Sequence, residues 1–168
     1  MKLNEAKQQF IQSWGAIGTQ WGINRTMAQI HALLLVSADP LSADDIMEEL
    51  QISRGNTNMN VRELIDWRLV EKVLKAGERK EFFIAEKDIW KVAMRITSER
   101  KRRELDPMIK VLENIGEIEG DKKDKDVKAF TDTVGQLQKF AKQADKAFDN
   151  LVKVDEHWFT GTILKLFK

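Results

Sequence analysis

The sequence predicts a mainly α-helical protein carrying one small β-hairpin. Apolar residues recur at spacings of three and four through most of the chain, which is the period of amphipathic helices. One pair of β-capable runs, 69–75 and 81–85, flanks a polar loop containing Gly77. Ser42 and Ser53 each stand where a helix should start, with little more than a turn between the two helices they open.

Phe10, Ile11, Trp14, Ile17 and Trp21 define a first helix over residues 4–21, ending near Trp21-Gly22. Residues 25–38, rich in Ala, Leu and Met, form a second helix. It stops at Asp39-Pro40, because proline disfavours helical geometry in the residue before it. Ser42 reads as the N-cap of a short third helix, with Asp45 three residues on as a capping-box variant and Ile46, Met47 and Leu50 as its apolar face. After Gln51-Ile52, Ser53 caps a fourth helix that runs to about Trp67. The hairpin follows. From Asp88 the helical pattern returns with Ile89, Val92, Ala93 and Ile96 on one side, and Pro107 predicts a kink or a fresh start. Leu105, Ile109, Leu112, Ile115 and Ile118 extend an apolar stripe. Residues 120–126 read as a solvated turn. A return helix then carries Val127, Phe130, Val134, Leu137, Phe140 or Ala141, Ala144, Phe148 and Leu151 near the 3.5-residue period of coiled-coil packing, so the two helices are expected to pair antiparallel. The apolar tail 157–167 is expected to dock on this helical layer or on a second copy.

A chain of 168 residues can bury one real core with accessory helices, and 42% hydrophobic with 33% charged residues is ordinary for a globular protein. The net charge of +1 conceals any local asymmetry. Zero cysteines exclude disulfides and thiolate metal sites, and the only two histidines, His31 and His157, lie far apart, so structural roles are expected for both and no metal or cofactor. No nucleophile sits beside a base and no phosphate-binding glycine loop occurs, so an enzyme is not expected. The N-terminus lacks the apolar core of an export signal. The longest apolar run, Ala32 to Val36, is far short of the roughly 20 residues that span a bilayer. A cytoplasmic protein without membrane contact is the expectation.

The order helix, short capped helix, tight turn, polar helix, hairpin is that of a winged helix-turn-helix, whose last helix enters the major groove of double-stranded DNA. On the fourth helix, Val61, Leu64 and Ile65 cluster on one side while Gly55, Asn56, Met59 and Arg62 lie broadly opposite. An asparagine can bond adenine or a phosphate, an arginine can bond guanine, and Met can touch a thymine methyl. Ser53, Arg54 and Gly55 open the helix where backbone N–H groups can approach a phosphate. The alternative is a merely solvated amphipathic helix. Against it stands the run Ser53 to Asn60, a poor helix sequence by intrinsic propensity. Lys75, Arg79 and Lys80 at the hairpin tip are placed to reach the DNA backbone or minor groove. Charge is segregated: Asp39, Asp44, Asp45, Glu48 and Glu49 precede the turn, whereas Arg54, Arg62, Arg68, Lys72, Lys75, Arg79 and Lys80 follow it. Arg100 to Arg103 is a second phosphate contact, a solvated face or a set of intersubunit ion pairs.

With these residues laid out, the sequence resembles the GbsR/MarR family of transcriptional regulators. The resemblance rests on Ala38 to Ile46, on Ile52-Ser53-Arg54-Gly55-Asn56 through Val61 to Leu64, on Gly77-Glu78-Arg79-Lys80-Glu81-Phe82-Phe83, and on Asp88-Ile89-Trp90 with Glu99 to Glu104 and Pro107. It spans roughly residues 14–112. It implies a homodimer that binds operator DNA through paired winged helices, with the N- and C-terminal helices as dimer interface, and choline as an effector of several members. The organisation expected is an N-terminal dimerisation helix over 1–24, a winged helix-turn-helix over 25–90 and a helical dimerisation and effector region over 91–168. The function expected is a sequence-specific repressor acting on a palindromic operator and released by a small ligand. Rival readings are a winged-helix module for an acidic protein partner and a nonspecific architectural DNA binder. Trp14, Trp21, Trp67 and Trp90 are candidates to cage a quaternary ammonium such as choline, since indole offers the best face to a cation; ordinary core packing is the alternative.

Overall fold

The computed structural model describes residues 1–20, 22–118 and 124–153. The chain divides into two compact units, Met1–Val92 and Ala93–Lys168, with the division inside one continuous helix.

In the first unit, α1 (Leu3–Gln20) packs along α2 (Arg25–Val36). Gly18 makes this possible: a Cβ there would lie 2.6 Å from the Cβ of Ala28. Gly22 ends α1 with a left-handed φ of 76°, which glycine adopts without steric cost, and Ile23 N–H returns to Gly18 O at 2.8 Å. Asn24 caps α2 by accepting from Thr26 and Met27 N–H. At its other end α2 lacks a basic residue of its own. Lys87 supplies the charge, its ammonium donating to Leu34, Leu35 and Ser37 carbonyls at 2.6, 2.7 and 2.8 Å.

Helix α3 (Ala43–Leu50) starts at Ser42, whose hydroxyl accepts from Asp45 N–H while the Asp45 carboxylate accepts from Ser42 N–H, closing the capping box. Gln51 ends it at φ 53°, a left-handed conformation that an L side chain adopts only against steric resistance, and this residue forms the turn into α4 (Arg54–Asp66). Ser53 caps α4 by accepting from Asn56 N–H. Strands β2 (Val70–Leu74) and β3 (Glu81–Ala85) make the wing, antiparallel with Leu74 opposite Glu81. The wing is more than a hairpin: a two-residue β1 (Leu41–Ser42) pairs with Phe82 and Phe83, giving the order β1-β3-β2. This pairing fixes the entry to α3 on the sheet.

The core of this unit gathers Ile11, Met27, Ile30, Leu34, Ile46, Val61, Leu64, Val70, Phe82 and Phe83. Each such side chain contributes about 1.5–3 kcal/mol by leaving water. The architecture is the winged helix-turn-helix that the sequence predicts, with its dihedral and capping details supplied by Ser42, Gln51 and Ser53.

From Ile89 a helix α5 (Ile89–Arg100) runs into a π-helical turn, Lys101–Leu105, and then α6 (Asp106–Ile115). Pro107 cannot donate a backbone hydrogen bond and its ring crowds the carbonyl four residues back, so a helix passing through it must adjust; here a widened turn precedes it. Helix α7 (Lys125–Lys153) returns antiparallel: Lys101 bonds Asp145 and Asp149 at 2.8 and 3.1 Å near one end, and Gln138 donates to Leu112 O at 2.7 Å further along. Leu112, Val134 and Ala141 form the small core between them, with Leu105 and Ile109 packed against it. The three aspartates around Lys101, with Asp106 at 3.6 Å, push its pKa up. The expected solvated turn over 120–126 lies largely, and the docking of 157–167 wholly, outside the described residues.

Candidate nucleic-acid interface

Helix α4 has two unlike sides. Thr57, Asn60, Val61 and Leu64 are buried, whereas Arg54, Gly55, Asn58, Met59 and Arg62 are exposed, Met59 at 57%. Nothing lies within 4 Å of a Cβ built on Gly55, so packing does not require glycine there. Intrinsic propensity makes glycine about 1 kcal/mol worse than alanine at such a position, and its remaining advantage is the bare backbone it offers at a helix N-terminus.

The three asparagines of this helix have three different positions. Asn58 faces out. Asn60 is fully buried and its Nδ2 donates to the backbone O of Asn56 at 2.8 Å and to its Oδ1 at 2.7 Å. Asn56 is half-buried, and its side-chain oxygen is already engaged, which leaves its amide N–H groups as the free donors. The weak helix propensity of the run Ser53 to Asn60 therefore has a partly internal cause: Thr57 and Asn60 serve the inner side, with Thr57 Oγ1 donating to Ser53 O at 3.1 Å.

The wing loop of residues 75–80 carries the other cations. The Lys75 ammonium lies 4.0 Å from the centre of the Phe82 ring, and Lys72 pairs with Glu81 across the hairpin. Arg79 is exposed on the loop, and neither it nor Arg62 makes an ion pair among the described residues.

One acidic residue joins the two elements. Asp44, in the first turn of α3, accepts from Arg54 Nη2 at 2.6 Å through one oxygen and from Lys80 Nζ at 3.1 Å through the other. These bonds, first that from Lys80 and then the Arg54 charge, hold its carboxyl below the ordinary carboxylate range. Ser42, Asp44, Arg54, Asn58, Lys80 and Phe83 line a shallow cavity of about 210 Å3 between α4 and the wing. The separation of acidic and basic segments was the one sequence signal of this contact.

The candidate aromatic residues are dispersed in role. Trp67 is 7% exposed and belongs to the core, Trp14 packs at a tilt against Phe10 with ring centres 5.5 Å apart and lies 6.3 Å from His31, Trp90 is half-buried, and Trp21 lies outside the described residues. His31 is 2% exposed, and its Nε2 finds no hydrogen-bond partner among the described residues. Burial, assisted by the nearby Lys87 charge, pulls its pKa down to about 4. Among the described residues no group of acids or histidines is arranged to hold a metal ion, and no helix is long and apolar enough to cross a membrane.

Residues 21–81 match the MarR family. The chain is 27% identical over 111 residues to the HTH-type transcriptional repressor GbsR of Bacillus subtilis, a match covering 66% of this chain and 61% of that one. It is 22% identical over 96 residues to the putative HTH-type transcriptional regulator YvaV and 23% identical over 88 residues to the HTH-type transcriptional repressor OpcR, both of Bacillus subtilis, covering 57% and 52% of this chain and 54% and 48% of those proteins. The chain thus spans between about half and three fifths of the length of the curated relatives it matches. In fold it is similar to a crystal structure described as that of a transcriptional regulator, with a TM-score of 0.53 and 17% identity over 86% of this chain and 99% of the other. The resemblance read from the sequence holds: this is a winged helix-turn-helix chain of MarR and GbsR likeness.

Proposed function

We propose that this chain, a winged helix-turn-helix protein similar to the MarR and GbsR regulators, binds double-stranded DNA as a homodimer and represses transcription from a palindromic operator. The observation that carries this reading is the outer face of α4, where Arg54, Gly55, Asn58, Met59 and Arg62 stand exposed beside a wing bearing Lys75, Arg79 and Lys80. In this reading α4 lies in the major groove. Arg62 bonds a guanine edge, Met59 meets a thymine methyl, and Asn56 donates to a base or phosphate. The Ser53-capped N-terminus and Gly55 bring backbone N–H groups to a phosphate, and Arg79 and Lys80 anchor the wing. A regulator rather than a catalyst fits the relatives named above.

The dimer part of the proposal is supported by apolar surface. Phe140 is 67% exposed, Val111 56%, Leu137 47% and Phe130 41% on α6 and α7, and Ile17 is 44% exposed on α1. A second copy covering these helices would remove that area from water. Two recognition helices related by a two-fold axis then require a two-fold operator, with half-sites about 10 base pairs apart or a multiple of that. A choline-like effector belongs to the proposal through the family resemblance alone. To act, it must bind free and DNA-bound dimers unequally.

The test is selection of bound sequences from a pool of random duplex. A palindromic site enriched by the wild-type chain, with salt-dependent affinity, is expected. Recovery of the pool without enrichment would reject sequence-specific recognition in favour of architectural binding, and no duplex binding at low salt would favour a protein partner.

A further inference from the structure

The Asp44 contact has no sufficient explanation in stability. Its three side chains are 44% (Asp44), 66% (Arg54) and 59% (Lys80) exposed, and ion pairs so open to water contribute little to folding. An anion here also repels the phosphates that Arg54 and Lys80 would meet, and Glu81, which lines the same cavity, adds to that repulsion. What the contact does is geometric. One carboxylate, using both oxygens, ties the first residue of α4 to the last residue of the wing loop from a third element, α3.

We propose that Asp44 is a positioning residue that holds Arg54 and Lys80 at one fixed spacing and competes with DNA phosphates for both, so that it sharpens discrimination between operator and unrelated duplex. The inference rests on the DNA-binding reading above. On unrelated DNA the backbone must displace the carboxylate from each cation, which weakens a purely electrostatic encounter. On the operator, where base contacts along α4 fix the register, Arg54 and Lys80 are already held where two phosphates pass, and less freedom is lost on binding. The same residue thus lowers nonspecific affinity more than specific affinity, which is the difference that defines specificity.

The experiment compares wild type, Asp44→Asn and Asp44→Glu on the operator enriched by the wild-type chain and on a scrambled duplex of equal length, across a salt series. Each cation freed from Asp44 adds about 0.9 to the magnitude of the salt slope, or roughly tenfold in affinity near 0.1 M salt. Asp44→Asn should therefore bind scrambled duplex several-fold tighter with a slope steeper by about one to two, gain much less on the operator, and so lose several-fold in the ratio of the two affinities. Asp44→Glu keeps the charge but displaces it, so its slope should stay near wild type while operator affinity falls. Asp44 also stands in the first turn of α3, where a negative charge favours the helix. Melting temperatures of all three proteins therefore accompany the titrations, and a loss of fold in Asp44→Asn leaves Asp44→Glu to decide. Equal tightening of both duplexes by Asp44→Asn would reduce the residue to a bulk charge and overturn the proposal, as would an unchanged slope. If the wild-type chain itself binds no duplex, the DNA-binding reading fails and this one falls with it, an outcome distinct from the other two.

Discussion

His31 makes folding sensitive to acid in a pH range where the carboxylates do not. The imidazole is buried on α2 beside Trp14, with its pKa pulled down to about 4, whereas in the unfolded chain it titrates near 6.5. The folded state therefore stays neutral there while the unfolded state takes up a proton below pH 6.5. Stability is complete above that pH, declines as pH falls towards 4, and levels off below. The full loss approaches 1.36 kcal/mol times the pKa difference, about 3 kcal/mol, of which about 2 kcal/mol is lost by about pH 5. The carboxylates held low, Asp44, Asp45, Asp88 and Glu99, contribute stability that is lost mainly below about pH 4.5. Urea unfolding followed by tryptophan fluorescence, at fixed protein concentration and at pH values near 7.5 and 5, should show that loss in the wild type. His31→Leu, which fills a similar volume without a titrating group, should lose less than about 0.5 kcal/mol over the same interval. Parallel losses in the two proteins would show that His31 is not the source of the acid sensitivity, as would a folded-state His31 pKa near 6.5 measured by NMR.

Other outcomes follow from single contacts. Gly55→Ala should raise stability by about 1 kcal/mol, because the added methyl meets nothing, yet weaken duplex binding by crowding the phosphate approach; a variant more stable with unchanged affinity would show that no phosphate comes close. Lys87→Met removes the charge that closes the carbonyl end of α2 and should lower the unfolding free energy by about 1–2 kcal/mol in denaturant titration. Phe140→Asp places a charge on the most exposed aromatic of α7 and should shift the protein towards monomer in sedimentation at micromolar concentration, while a monomeric wild type would contradict the proposed dimer.

Much of this fold was legible because its signals are local. Ser42 with Asp45, Ser53 and Pro107 act on the residues next to them, so their caps and interruptions could be placed from the sequence, as could the outward face of α4 with Met59 and Arg62; Pro40 marked the end of α2 less closely, since that helix stops at Val36 and Ser37 is already extended. Features that arise from meeting distant residues were not legible. Strand β1 has two residues, too few for a period, and is a strand only because Phe82 and Phe83 pair with it. Lys87 caps a helix that ended some 50 positions earlier, and nothing in its own neighbourhood hints at that. Asp44 reads as one acid among five until the wing folds against α3. The asparagine run misled in part. Asn60 and Asn56 bond each other, because a helix places residues four apart on the same face, and that inner role is as good a reason for asparagine as base recognition.

If α4 reads base edges, Arg62 is the side chain whose loss must show it. Dissociation constants of wild type and Arg62→Ala should be measured by fluorescence anisotropy on the enriched operator, on that operator with single base-pair changes, and on scrambled duplex at matched salt. Arg62→Ala should lose about 1–3 kcal/mol on the operator, relax preference at one symmetric pair of positions, and change preference little elsewhere. Operator affinity unaltered by Arg62→Ala, with the wild-type preference intact at every position, would contradict base reading by α4.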